Sequence, residues 1–588
     1  MTVWLDGLAS LAAHAATVTI ILLSILWGMW IIRGLLDQFY KERLSEFEKL
    51  AIAAAGWPAP ILFLALLLFL ISLIFTSTIG LIVTIGIILS SSFVFRGEKL
   101  SLPQTFLFFL LGFTSLILHF AFLKDMFLPS YFDSAEHYRL IHSITETYRL
   151  GILSKELLGT VYHLGFHFIS AGLSFFFQQS IVDVILVFGQ VILTFLPFPL
   201  FFLIKNETDS TLAGIFTALL AGFGFHMPQH LMNWGKYPAL LSLAIISFVL
   251  CMAYLAFRGN PHSYPRKYSL ILLGIGILAS ILIHSRTIVL YAILGIASVA
   301  LLIWKRQRSS IRVLTILFVL GLIVIEIVFS RSDSALKLLL EGYLVKDFWM
   351  LILVGLLTIF SFLYFTETTF LLFSVLAFMG LALFTPFFLP IHGVQSLLDR
   401  PYVQMFLHLP FSLLGGLGFA GLIQTIKRLL PSRELLMRFT AVILFGLVLI
   451  NIAFQYNFYS SPCCRFTTRD DLAAFTWLDH SIPEDSTILI ASSNLYVASL
   501  QPSQIQTGVD AGIWIQPLLA RNTALAWQGM QLDSSEIHSQ LCNKKVGYIY
   551  IGGMPQSFSE PILAALPEWY SPAFSLPKAK VYQVIGCH

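Results

Sequence analysis

The chain has 588 residues, of which 57% are hydrophobic and 11% charged, and its formal net charge is +4. A soluble domain carries about 25% charged residues, so this composition excludes a soluble globular enzyme and a disordered chain, and so small a net charge excludes a nucleic-acid binder. The apolar stretches are continuous rather than alternating, which excludes a β-barrel and leaves an α-helical polytopic membrane protein.

From the N-terminus, the first long apolar run is Leu11–Ile32. Asp6 is the only charge before it, so the run reads as an anchor rather than a cleaved signal peptide. Further runs fall near 54–76, 78–95, 105–123, 180–204, 211–227, 237–257, 268–284, 287–304, 312–330, 348–365, 369–390, 404–424 and 439–456. Together they predict an all-α transmembrane bundle of about 14 spans. Residues 1–104 form its N-terminal helices and 105–456 its core.

Lys and Arg are biased to one set of alternate loops, which places that set in the cytoplasm. The set carries Arg33/Lys41/Arg43/Lys49, Arg96/Lys99, Lys205, Arg258/Arg266/Lys267, Lys305/Arg306/Arg308/Arg312 and Lys427/Arg428/Arg433/Arg438. The opposite loops are 124–179, 228–236, 285–286, 331–347 and 391–403, with the tail 457–588 on their side. The reading is therefore a multi-pass protein of the plasma membrane with an extracytoplasmic C-terminal domain.

Loop 124–179 holds two helix-like stretches, Asp133–Leu150 and Leu157–Phe177, both suited to the membrane interface. The tail reads as a small α/β domain, with helices at Arg469–Leu478 and Ser534–Leu541 and strands at Ser486–Ile490, Lys545–Ile551 and Lys580–Ile585. It shows no nucleophile elbow, phosphate loop or metal motif, so a lid or cap is its expected role. Cys463, Cys464, Cys542 and Cys587 all lie in this tail. They predict two disulfides in an oxidising compartment, free thiols being the alternative. Cys251 lies in an apolar run as a core thiol.

In so apolar a chain, clustered ionisable groups are the informative residues. Asp133, Glu136 and His137 stand at i, i+3 and i+4 and share a helix face. They could supply a base toward a hydroxyl nucleophile or ligate a divalent ion such as Mg or Mn; Asp-x-x-Glu is also a capping box. His163 and His167 are four apart and could flank a polar head group or share a metal; a solvated interfacial pair is the plainer reading. His226 and His230 precede Lys236, which could hold a phosphate or snorkel. Arg286, within His284-Ser285-Arg286-Thr287, and Arg400, within Asp399-Arg400-Pro401-Tyr402, offer forks for phosphate oxygens. An Arg400–Asp399 salt bridge is the alternative for the latter. Glu326 is alone inside an apolar span, which counts against an ion-coupled transporter.

Taken together, these motifs resemble the C-type polytopic glycosyltransferases, which use lipid-phosphate-linked sugars. The likeness lies in Phe132-Asp133-Ser134-Ala135-Glu136-His137-Tyr138 of the outer loop, Tyr162–His167, Gly235-Lys236-Tyr237-Pro238, His284-Ser285-Arg286, Arg400-Pro401-Tyr402 and the tail from Asp470 to Ile488. The outer loop has no Asp-Asp or Asp-x-Asp pair. The resemblance implies sugar transfer from a polyprenyl-phosphate donor to an acceptor at the extracytoplasmic face. Asp133 would be the base, and Glu136 and His137 would orient it or hold a metal. Lys236, Arg286, Arg400, His163, His167 and Tyr402 would line the donor site. A lipid or solute transporter, which needs a continuous polar pathway, and a non-catalytic scaffold are the alternatives.

Overall fold

The computed structural model describes residues 2–40, 43–94, 101–159, 162–258, 266–332, 342–389, 393–430, 433–495 and 505–587. Lys41, Arg96 and Lys99 of the basic set lie outside the described residues. The chain is a multi-pass membrane protein. Among the described residues ten helices are long and apolar enough to cross a bilayer, from Ala15–Tyr40 to Glu434–Gln455, and an eleventh if the Glu46–Gly56 and Pro58–Ile74 pair, bent by 40°, is one span.

The expected 14 spans are thus not all met. Two of them fall on shorter apolar helices, Thr211–Gly224 and Phe348–Tyr364, and a third on the helix Ser77–Val94. At a rise of about 1.5 Å per residue the first two extend roughly 21–26 Å, short of the hydrocarbon thickness. Hydropathy registers the apolar run and not where the helix stops. Likewise the N-terminal run is divided into Thr2–Ala13 and Ala15–Tyr40 at His14, whose ring meets Asp183 at 3.2 Å. The expected boundary at 104 does not separate two cores. Val18, Trp57 and Phe108 share one buried cluster with Phe188, Leu240, Tyr402 and Val448.

Ion pairs between distant loops fall into two groups. One joins Arg33, Asp37, Glu46, Glu48, Lys49 and Lys205, and Arg258 and Lys305 with Glu207 and Glu367. The other joins Asp6 with Lys124, Asp133 with Lys236, His226 with Asp347, and Arg286 with Asp399. The first group gathers the basic loops; the second gathers the loops opposite them.

At the second of these ends, loop 124–179 forms the Tyr131–Leu150 helix, a short Lys155–Gly159 turn of helix and the Gly165–Phe177 helix. The first runs past the expected Asp133 start because Ser130 is its N-cap residue, which leaves Asp133 inside its first turn. Asp133 is therefore not the cap that a capping box would make it.

A hairpin of β1 (Pro386–Leu389) and β2 (Gly393–Ser396) precedes the Arg400–Phe406 helix. The tail forms the expected small α/β domain. The helix Arg469–Ser481 leads into β3 (Thr487–Leu495), and β4 (Ile505–Gly508), β5 (Asn522–Trp527), β6 (Val546–Ile551), β7 (Tyr570–Leu576) and β8 (Ala579–Val584) complete a mixed sheet in the order β4-β3-β6-β8-β7. β5 pairs parallel to the first part of β3, and β4 antiparallel to its end. β4, β5 and β7 are additions to the sequence reading. They are short or peripheral, and β7 is broken by a bulge between Pro572 and Phe574; alternation is too brief there to register. Cys542 and Cys587 are joined in a disulfide, whereas Cys463 and Cys464 carry free thiols. Only one of the two expected disulfides is present.

The domain docks directly on the loop helix. Leu128 and Ala135 share a buried cluster with Ala474, Leu478, Trp514 and Tyr550, and the Tyr138 and Trp514 rings lie 5.8 Å apart, edge to face.

Candidate functional site

Asp133 enters the site from the first turn of the Tyr131–Leu150 helix and Lys236 from the loop before the Tyr237–Phe257 span, and the two are ion-paired. What brings them together is Gly235. Its φ is +63, and a Cβ there would stand 2.9 Å from the Ser130 carbonyl oxygen and 3.0 Å from the Ser134 nitrogen. Only a residue without a side chain fits between loop and helix in that conformation. Gly235→Ala is expected to cost about 1–2 kcal/mol for the left-handed backbone alone, with the steric contact added. Thermal unfolding in detergent checks it; an unchanged midpoint would remove this account of the glycine.

Arg286 fills the connection between two spans and meets Asp399, Nη1 to Oδ2, at 2.5 Å. Asp399 also accepts from the Tyr402 amide at 2.9 Å as N-cap of the Arg400–Phe406 helix. Asp399, weighed in the sequence as a partner for Arg400, thus pairs with Arg286. Asp399 was read only as Arg400's neighbour, because a partner 113 positions away leaves no local signal. Arg400 follows Asp399 as the first residue of that helix.

Between these pairs lies a chain of rings. Tyr162 stacks on His163 with centroids 3.9 Å apart, His163 is 4.3 Å from His284, and His284 stacks on Tyr402 at 4.8 Å. His137 shares a 3.0 Å hydrogen bond with His167 through Nδ1 and Nε2 and stands 6.2 Å from Tyr162. Burial, and then the charge of Lys236, push His137 down to about 3 against a bond to the Gly235 backbone. His163 is pushed down to about 3 by burial, then by His137, Arg286 and Lys236. His284 is held well below the ordinary range by burial, then by His163, Arg286, Lys236 and His137. These imidazoles are neutral near pH 7. His163 Nε2 and His284 Nδ1 have no protein partner among the described residues.

The structure thus gathers Asp133, His137, His163, His167, Lys236, Arg286 and Tyr402, with Arg400 next to Asp399 in the chain. Glu136 is the exception. It turns outward to Arg139, at 2.6 and 2.9 Å, and is half exposed. The metal set Asp133, Glu136 and His137 is not assembled, since each side chain has a different partner: Lys236, Arg139 and His167. Among the described residues, a metal-compatible trio occurs only at His538, Cys542 and Cys587, and its cysteines are already joined to each other. Sequence reasoning left His284 and Tyr162 out of the site residues although their motifs stood out, and it missed Asp347. The latter accepts from the His226 amide at 2.9 Å and meets His226 Nδ1 at 2.5 Å.

A family model described as "Family of unknown function (DUF6541)" matches residues 47–339. The chain is also similar to a solved oligosaccharyltransferase from Archaeoglobus fulgidus, in complex with Zn and sulfate. The identity is 11% and the TM-score 0.39, over 80% of this chain and 72% of that one. No curated protein matches.

Proposed function

We propose that the protein is an integral-membrane glycosyltransferase that moves a sugar from a polyprenyl-phosphate donor to an acceptor hydroxyl at the extracytoplasmic face of the plasma membrane. One observation carries the reading. Two carboxylate–cation pairs, Asp133–Lys236 and Arg286–Asp399, flank one stack of imidazole and phenol rings at the end of the bundle that bears the tail domain. The sequence resemblance assigns the chemistry. The basic loops at the opposite end give the orientation.

In this mechanism the acceptor oxygen attacks the anomeric carbon while the bond from that carbon to the phosphate oxygen breaks. Asp133 takes the hydroxyl proton. Lys236 and Arg286 stabilise the charge that develops on the departing lipid phosphate. Both are paired, yet an ammonium has three donors and a guanidinium five, so each keeps donors for phosphate oxygens. The pairs set their orientation before the donor arrives. The neutral imidazoles supply hydrogen bonds without adding charge. Among the described residues Asp133, Glu136 and His137 have separate partners, and no step is assigned to a metal.

The test is release of free polyprenyl phosphate and glycosylated acceptor from proteoliposomes supplied with a polyprenyl-phosphate sugar. Should the labelled lipid-linked sugar cross the bilayer unaltered, the activity is transport and the proposal fails. Arg286→Ala is expected to raise the donor KM about 10–100-fold, the worth of one charge-assisted hydrogen bond. Arg286→Lys should recover only part, because a point charge replaces a fork. An unchanged donor KM in both variants would take Arg286 out of the donor site.

A further inference from the structure

The tail begins with two adjacent cysteines at the seam between bundle and domain. Cys463 is exposed and Cys464 buried. Their sulfurs lie 2.7 Å apart, close enough to share a proton and longer than the roughly 2.0 Å of a formed disulfide. The turn that carries them is fastened on both sides of the Asp133–Lys236 pair. The Ser461 amide donates to Asn233 Oδ1 at 2.7 Å, three residues before Lys236. The Tyr131 amide donates to the Cys464 carbonyl at 3.1 Å, two residues before Asp133. Tyr131 itself is held at φ +66, a conformation that costs a non-glycine residue about 1–2 kcal/mol. The Cys542–Cys587 disulfide of the same domain marks its surroundings as oxidising.

We propose that Cys463 and Cys464 form a reversible disulfide between neighbouring residues, and that closing it resets the Asp133–Lys236 pair. The oxidant is an external disulfide, of a small thiol or of a dithiol protein. Cys463 gives its proton to solvent and attacks one sulfur of that disulfide, forming a mixed disulfide and releasing the first thiolate, which is then protonated. Cys464 then loses its proton and attacks the Cys463 sulfur, and the second thiol leaves. Two electrons pass from the cysteine pair to the external disulfide, which becomes two thiols.

The assignment of roles follows from exposure. The accessible Cys463 is the attacking sulfur, and the hydrogen bond from Cys464 and the charge of Lys346 hold its thiol below the usual range against burial. Closure makes an eight-membered ring through the Cys463–Cys464 peptide. The ring rotates the groups on the Cys464 α-carbon, so the carbonyl that receives the Tyr131 amide moves. The strain at Tyr131 gives the first turn of the helix somewhere to go. This proposal does not depend on the transfer reaction.

The test uses the full-length protein in detergent, equilibrated with reduced or oxidised glutathione, then unfolded in N-ethylmaleimide and mapped by peptide mass. In the reduced sample the peptide with Cys463 and Cys464 should carry two maleimide adducts. In the oxidised sample it should carry none and be lighter by two hydrogens than the free dithiol. Two adducts in both samples, or glutathione held on one cysteine with the other alkylated, would overturn the disulfide. Hydrogen exchange of the 128–140 segment should differ between the two states in the wild type and not in Cys463→Ser. Identical exchange in the oxidised and reduced wild type would overturn the coupling to Asp133, and that comparison needs no variant to fold.

Discussion

Asp133→Asn is expected to lower the rate of sugar transfer from a polyprenyl-phosphate donor by about 10²–10⁴-fold, the range that a positioned general base contributes. The loss should fall in kcat, with the donor KM little changed, because Lys236 and Arg286 remain to meet the phosphate. Asparagine matches aspartate in size and can still accept from the Lys236 ammonium, so the helix start and the Gly235 loop should hold their places. Asp133→Glu separates the two ways of losing activity. It keeps a carboxylate on a longer arm, so it should recover part of the rate if Asp133 takes a proton. Full activity in Asp133→Asn, with thermal unfolding unchanged, would leave the aspartate as nothing more than the partner of Lys236.

The candidate site was legible in the sequence because its residues are conspicuous against a chain so poor in charge. Asp133, Lys236, Arg286 and the histidines stood out as polar interruptions at the ends of apolar runs. Their pairing was not legible, because it is set by contacts between segments far apart along the chain. Asp133 finds Lys236 only because Gly235 lets a loop sit against a helix turn, and Arg286 passes over its neighbours for Asp399. Glu136 shows the same limit from the other direction. Helical spacing puts it on one face with Asp133, but Arg139 one turn on holds it at 2.6 Å, and Glu136 is half exposed.

The fold divides along similar lines. Apolar runs locate helices, and every expected span has an apolar helix beneath it. Periodicity cannot see the break at His14, the bend of 40° between Gly56 and Pro58, or the early ends of the Thr211–Gly224 and Phe348–Tyr364 helices. In the tail, the strands with a run of buried residues were readable, as in Val546–Ile551. The edge strand β5 carries Leu525 and Trp527 exposed, so it offered no buried alternation to read.

The other large effect lies at the opposite end of the bundle. Arg33 is 1% exposed and holds Glu46 through both ends of its fork, Nε to Oε1 at 2.7 Å and Nη2 to Oε2 at 3.0 Å. Asp37 stands one helical turn away at 3.9 Å and is itself paired with Lys49, while Glu48 pairs with Lys205 at 3.0 Å. Three cations thus meet three carboxylates, and the group is neutral as a whole. Arg33→Met removes one cation and leaves Glu46 buried without its partner, at an expected cost of about 3–5 kcal/mol. Replacing Arg33 and Glu46 together with methionine removes both charges and should cost far less than the single change, because burying an unpaired charge is dearer than burying none. Chemical denaturation of the three proteins in the same detergent measures this. The expected order of stability is wild type, double variant, single variant. A single variant within about 0.5 kcal/mol of wild type, as for an ordinary surface change, would mean that water reaches Glu46 and that this end of the bundle is more open than its packing indicates.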